Sequence, residues 1–228
     1  MARRRHLAGL HSEPISFTTL TYNNMPETHP NSRLEAFCDA VFAIAITLLI
    51  IDIKIPSTVE ISSTVDFWIA LKHITPSIFA FVLSFGTILI AWVNHHGFLK
   101  LVHQSAPSFI YANGFLLLSV AFMPFPTALI GEYILTDHAA PAVILYDSTL
   151  ALQGLGWIFV AGTALKNRLG KSEKANSTIR ENGKFGYFAL ALYSLCAVIA
   201  FWFPLSVALV TALLFVFWLM WGINLKHE

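Results

Sequence analysis

The chain has 228 residues, of which 56% are hydrophobic and only 12% charged, and its formal net charge is +1. A soluble domain carries about 25% charge, so this composition excludes a water-soluble globular protein and points to a lipid bilayer as the solvent. Cys38 and Cys196 both sit in apolar runs, which excludes a disulfide framework and suggests no thiolate redox centre.

Residues 1–32 are polar and hold Arg3, Arg4, Arg5, Pro14, Pro26 and Pro30. No apolar segment follows the arginines to act as a signal peptide, so the stretch reads as a disordered cytoplasmic tail. Next comes RLEAFCDAVFAIAITLLIIDIKIP, Arg33 to Pro56, expected as a spanning helix over 33–55 with Ser32 as N-cap and Pro56 as its stop. Arg33, Glu35 and Asp39 stand in its first two turns. Charge within a membrane segment is expensive and usually tied to a partner or to function, so this helix is the first place to look for chemistry.

Val59 to Ile74 contains Glu60, Asp66, Lys72 and His73 and reads as an amphipathic helix lying at the interface. Spans follow over 76–96, 107–129 and 141–165, the second of them kinked near Pro124 and Pro126. A polar stretch from Lys166 to Lys184 separates them from a final apolar block, Phe185 to Ile223. As one helix that block would be about 58 Å long, nearly twice the roughly 30 Å hydrocarbon core. It is therefore read as two helices, 185–203 and 205–223, turning at Pro204, with 225–228 as a short cytoplasmic end. The fold class expected is an all-α, six-span membrane subunit with one channel domain over 33–224.

Basic residues test the count, because cytoplasmic loops carry an excess of Lys and Arg. They alternate as required: Arg3, Arg4 and Arg5 in the tail, Lys100 in the second loop, Lys166, Arg168, Lys171, Lys174, Arg180 and Lys184 in the fourth, and Lys226 at the end. Only Lys54 and Lys72 fall on the other side. A multi-pass protein of the cell membrane with both termini cytoplasmic is expected. Positive-inside topology also accounts for the basic fourth loop without an anionic-lipid site.

At about 100° per residue, Phe37, Ala40, Ile44, Leu48 and Ile51 fall within about 40° of Ile44, and Thr47 about 60° away. Two readings fit this apolar stripe. It is either ordinary lipid-facing or packing surface, or a hydrophobic constriction that gates ions by dewetting. Cys38 and Asp39 point about 120° and 140° from it, into neighbouring helices. Trp92, Asn94, His95 and His96 at the end of the second span, and Asn113 early in the third, reach the same depth. A carboxylate, imidazoles and amides packed together would satisfy one another where water is scarce. This set reads as a structural clamp, with a proton-relay role for Asp39 and His95 or His96 as the alternative.

Adjacent histidines point about 100° apart on a helix and do not chelate by themselves, so no metal is expected. No phosphate-binding loop, nucleophile elbow or membrane-protease pair occurs, and an enzyme is not expected. Asp52, near Lys54 at the other end of the first helix, would concentrate cations at a pore mouth or simply decorate the helix end.

Arg33, then Phe37-Cys38-Asp39, then AVFAIAITLLIIDIKIP, resemble the first-helix signature of the transmembrane protein 175 family of potassium channels, in which Arg, three residues and Phe-Ser-Asp stand together. WVNHHGF, Trp92 to Phe98, is similar to that family's second-helix ending. Cys38 replaces the usual Ser. The resemblance implies a potassium-preferring cation channel built as a homotetramer of six-helix subunits, with potassium as the permeant ion, no cofactor and no nucleic-acid partner. It further implies that Ile44 forms the narrowest ring, that Leu48 and Ile51 continue the path, and that Thr47 is near hydrated ions. No Thr-Val-Gly-Tyr-Gly filter segment is present, so a backbone-carbonyl filter is not expected. The competing function is a proton-coupled carrier using Asp39 and a second-helix histidine, and the third is an accessory membrane protein without transport. Carriers commonly show paired repeats and broken midplane helices, and the first two helices show neither.

Overall fold

The computed structural model describes residues 31–57 and 61–224, and its ordered elements are all α-helical. They are α1 (Ser32–Leu48), α2 (Thr64–His73), α3 (Thr75–Leu99), α4 (Pro107–Phe122), α5 (Pro124–Tyr133), α6 (Ala139–Lys166), α7 (Glu173–Ile199) and α8 (Pro204–Asn224). Among the described residues, α3, α4 with α5, α6 and α7 are long and apolar enough to cross a membrane. The N-terminal tail up to residue 30, the Val59 and Glu60 start of the interface segment and the basic Lys226 lie outside the described residues.

Two boundaries differ substantially from those read in the sequence, and the kink expected near Pro124 and Pro126 is a full break, each for a local reason. α1 ends at Leu48 and not at Ile55. Beyond it the backbone tightens into three-residue turns, with Ile51 N–H donating to Leu48 C=O and Ile53 N–H to Ile50 C=O. The β-branched run Ile50, Ile51, Ile53 and Ile55 disfavours continuing the helix, and Pro56 keeps Ile55 out of the helical region. α7 begins at Glu173, not at Phe185. Ser172 caps it by accepting from Ala175 N–H at 3.1 Å, and Ala175 and Ile179 are buried, so the basic stretch is largely helix and not loop. The third span is two rods, because Pro124 has no N–H to offer and breaks the ladder after Phe122.

Both ends of the bundle are tied by contacts that fix which loops share a side. A backbone bridge joins Val102 to Gly170, with His103 N–H donating to Leu169 C=O and Lys171 N–H to Leu101 C=O. The start of α1 joins them through Asn31 Nδ2, which donates to Val102 C=O at 3.3 Å. This end thus gathers Arg33, Lys100, Lys166, Arg168, Lys171 and Lys174. At the opposite end, Lys54 Nζ reaches Glu132 Oε2 at 2.8 Å. That hydrogen bond and the attraction of the carboxylate hold the Lys54 ammonium pKa above its usual value, but an exposed pair of this kind adds little stability.

α6 is the hub, packing on α4, α5, α7 and α8. Its seam with α7 needs two glycines: a Cβ on Gly154 would lie 2.8 Å from Leu190 N and 3.1 Å from the Gly186 carbonyl oxygen, and one on Gly186 would lie 3.0 Å from the Gly154 oxygen. Between membrane helices, where no hydrophobic force drives association, such backbone approach supplies the packing. Gly154→Val should therefore lower stability by about 1–3 kcal/mol or more through overpacking. Gly114→Ala, where a Cβ meets nothing within 4 Å, should change it by less than about 1 kcal/mol. Thermal unfolding of the two variants in detergent checks the difference.

Candidate functional site

α1 has two faces of opposite character. Cys38, Phe42, Ala45 and Leu49 are 0–1% exposed and form one line, packed against α3 and α4. About 130° around the helix, Phe37, Ile44, Leu48 and Ile51 are 59%, 58%, 41% and 70% exposed, and Ala40 and Thr47 are exposed with them. The apolar stripe is thus unpartnered within the subunit. Thr47 Oγ1 donates to the Ile44 carbonyl at 2.9 Å, and Ile51 falls in the turn that follows the helix.

Beside the buried line lies a polar seam. Trp92 Nε1 donates to Asp39 Oδ1 at 2.8 Å, so an indole N–H, and not Arg33, satisfies the carboxylate. Arg33 and Asp39 are six residues apart, which sets them about 120° apart on the helix. Arg33 consequently lies at the end of the exposed stripe and, among the described residues, makes no ion pair. His95 is fully buried and its Nε2 lies 2.8 Å from Asn113 Oδ1. Asn113 in turn donates from Nδ2 to the Phe109 carbonyl at 2.7 Å, and the His95 ring packs 5.4 Å from Phe42. His96 stacks on Trp92 at 6.1 Å and brings Nδ1 to 3.0 Å from Glu35 Oε1, close but without completing a hydrogen bond.

Of the residues read as a clamp, Cys38, Asp39, Trp92, His95, His96 and Asn113 meet at the α1–α3–α4 junction, while Arg33, Phe37 and Asn94 do not. Asn94 is exposed and lines a groove with Gln153 and Asn182 on the far side of α3. The sequence reading did not foresee that Glu35, Asp39 and His96 would place potential ligand atoms within 4.8 Å of one another. Asp52 is exposed and lines a cavity of about 240 Å³ with Lys54 and Glu132.

The family model described as the endosomal/lysosomal potassium channel TMEM175 matches residues 33–124. A potassium channel of Chamaesiphon minutus is 37% identical over 203 residues, covering 83% of this chain and 95% of the relative. The chain belongs to the TMEM175 family. A potassium channel of Streptomyces collinus is 42% identical over 133 residues, 56% of this chain and 63% of that protein. The crystal structure of a lysosomal potassium-selective channel TMEM175 homolog from Chamaesiphon minutus superposes with a TM-score of 0.75 at 33% identity, covering 84% of this chain and 97% of that one. The family consists of potassium channels, not enzymes, and both the α1 signature and the Trp92 to Phe98 segment lie inside the matched region.

Outside that region sits a buried carboxylate that the sequence reading missed. Asp147, in the interior of α6, is 0% exposed; Thr211 Oγ1 of α8 donates to its Oδ1 at 2.9 Å, and Oδ2 has no partner. Next to it, Tyr146 and Thr127 both meet the Ser84 hydroxyl, at 3.1 Å and 2.7 Å. The signal was an acid in a 28-residue apolar helix, the same criterion that singled out Asp39.

The His95–Asn113 pair generates a test of the clamp. Asn113→Leu leaves the buried imidazole without its partner and should cost about 1–3 kcal/mol, whereas Asn113→Leu with His95→Phe removes both polar groups and should recover much of the loss. Unfolding of the purified variants measures the coupling; strictly additive effects would show that the pair does not act as a unit.

Proposed function

We propose that four copies of this subunit, each crossing the membrane six times through α1, α3, α4 with α5, α6, α7 and α8, enclose a potassium-conducting pore lined by α1. Ile44 forms the narrowest ring, Leu48 and Ile51 extend it, Thr47 flanks it and Asp52 stands at the outer mouth. The observation that carries this reading is the exposed Phe37–Ala40–Ile44–Leu48–Ile51 stripe on the helix bearing the family signature, opposite a fully buried face. A ring of such side chains offers no ligands to an ion, so it controls passage through wetting and dewetting.

The polar seam supports the pore helix from behind. The Asp39–Trp92 hydrogen bond fixes the rotation of α1, and the His95–Asn113 bond ties α3 to α4 behind it while the His95 ring packs on Phe42. The stripe thus stays on the axis, and Cys38 fills the buried line where a hydroxyl is usual in the family. The basic end, which holds Lys100, Lys166, Lys171 and Lys174, is cytoplasmic together with both termini, by the distribution of Lys and Arg.

Ile44→Asn should wet the constriction. In vesicles under a potassium gradient it should raise cation flux several-fold and reduce discrimination between potassium and sodium, because an amide removes the dewetting barrier and offers ligands to any ion. Ile130→Asn, at a position only 8% exposed, should instead lower the yield of folded protein. Unchanged flux and selectivity in a well-assembled Ile44→Asn tetramer would remove α1 from the pore.

Orientation is checked independently. A single cysteine introduced at Lys174 should resist an impermeant thiol reagent in intact cells and react once the membrane is opened; labelling from outside would reverse the topology.

A further inference from the structure

Between α3, α5, α6 and α8 lies a cavity of about 620 Å³, within the roughly 300–1,000 Å³ typical of small-molecule sites. Asp147 is among its lining residues, and its one unpartnered oxygen, Oδ2, belongs to a side chain with no solvent exposure. The walls nearby are apolar: Leu83 and Val143 are buried, and Phe79, Leu205 and Leu209 stand 59%, 56% and 63% exposed toward the outside of the subunit. Asp147 is eight residues into α6 from Ala139 and Thr211 seven into α8 from Pro204, so the carboxylate lies about 10–12 Å below that end of the bundle.

A buried carboxyl of this kind has two ways of avoiding an unpaired charge: it stays neutral, or it meets a cation that arrives with its own apolar cover. Thr211 satisfies one oxygen by donation, and donation is what an ionised carboxylate accepts on both oxygens. The second oxygen needs a further donor, which an ammonium provides with charge to match. Exposed Lys72 stands at the rim on the α2 side and its positive charge opposes small inorganic cations entering from water. An amphiphile avoids that barrier by coming through the bilayer between α3 and α8, leaving its tail along the apolar walls.

We propose that this cavity binds a lipophilic ammonium, an amine head carried on an apolar tail, with the head on Asp147 and Thr211 and the tail toward Phe79 and Leu209. The site lies apart from the α1 stripe and does not depend on which helix lines the pore.

The test uses the full chain in lipid vesicles and two photoreactive probes, octylamine and octanol, each carrying a diazirine on the tail, with labelled peptides located by mass spectrometry. The amine should label the α6 and α8 segments around Asp147 and Thr211 at least about tenfold more than the alcohol, the difference a charged hydrogen bond supports, and unlabelled octylamine should compete. Asp147→Asn should bring amine labelling down to the alcohol's level. Ala212→Phe, which fills the cavity and leaves the carboxylate in place, should abolish labelling by both probes. Equal labelling by amine and alcohol in the native protein, or undiminished labelling in either variant, overturns the proposal. Should Asp147→Asn fail to fold, Ala212→Phe decides alone. Because the readout is binding and not current, its failure is distinct from a failure of the pore assignment.

Discussion

A bilayer interior has no water to complete a hydrogen bond, and a carboxylate, which the carbonyls of its own helix cannot satisfy, must find its donor on another helix. In this protein that constraint sets the rotation of α1. Asp39 is held by Trp92, His95 of the same helix as Trp92 is held by Asn113 of α4, and between them Cys38, Phe42, Ala45 and Leu49 are pressed into the interior. Turning α1 by one residue, about 100°, would bury the stripe and expose the acid. The outward direction of Ile44 therefore follows from polar groups that lie on the other side of the helix.

A second consequence concerns rigidity. The scaffold behind α1 is built from close backbone approaches at Gly154, Gly156 and Gly186, which place α4, α6 and α7 in van der Waals contact through main chain. Dense packing of this kind has low compressibility and transmits strain, so its helices shift as bodies and do not deform gradually. α1, by contrast, is held mainly along one face, and its C-terminal end gives way to single turns after Leu48. The element with the exposed stripe is thus the less confined one, and the two ends of the bundle are anchored differently: a backbone bridge between Val102 and Gly170 at the basic end, an exposed Lys54–Glu132 pair at the other.

How far the site was legible depended on whether the deciding interaction was local. Helical angles turned Cys38 and Asp39 away from the stripe, and in the structure Cys38 is buried while Ile44 is exposed, because the angles use only the 3.6-residue repeat. The same angles set Arg33 on the stripe side and Asn94 away from its neighbour His95, yet composition grouped both with the acid. Pairing Asp39 with Trp92 required knowing how α3 crosses α1, and so did the approach of His96 to Glu35. Asp147 was visible as an acid in an apolar helix, but its partner Thr211 and the neighbouring Tyr146, Ser84 and Thr127 were legible only once α6, α3, α5 and α8 came together.

Composition, the periodic apolar runs and the alternation of basic loops were sufficient for an all-α membrane chain, and the Arg33 to Pro56 signature for its family, since these depend on residue type and order alone. Helix ends were less determinate. Leu48 and Glu173 became boundaries through a β-branched run acting with Pro56 at one and through capping and burial of Ala175 and Ile179 at the other. Partner choice among Asp39, His95, His96, Asn113 and Asp147 came only from the tertiary structure, because hydrogen bonds between helices depend on crossing geometry and depth, and neither is encoded in the spacing of residues along one helix.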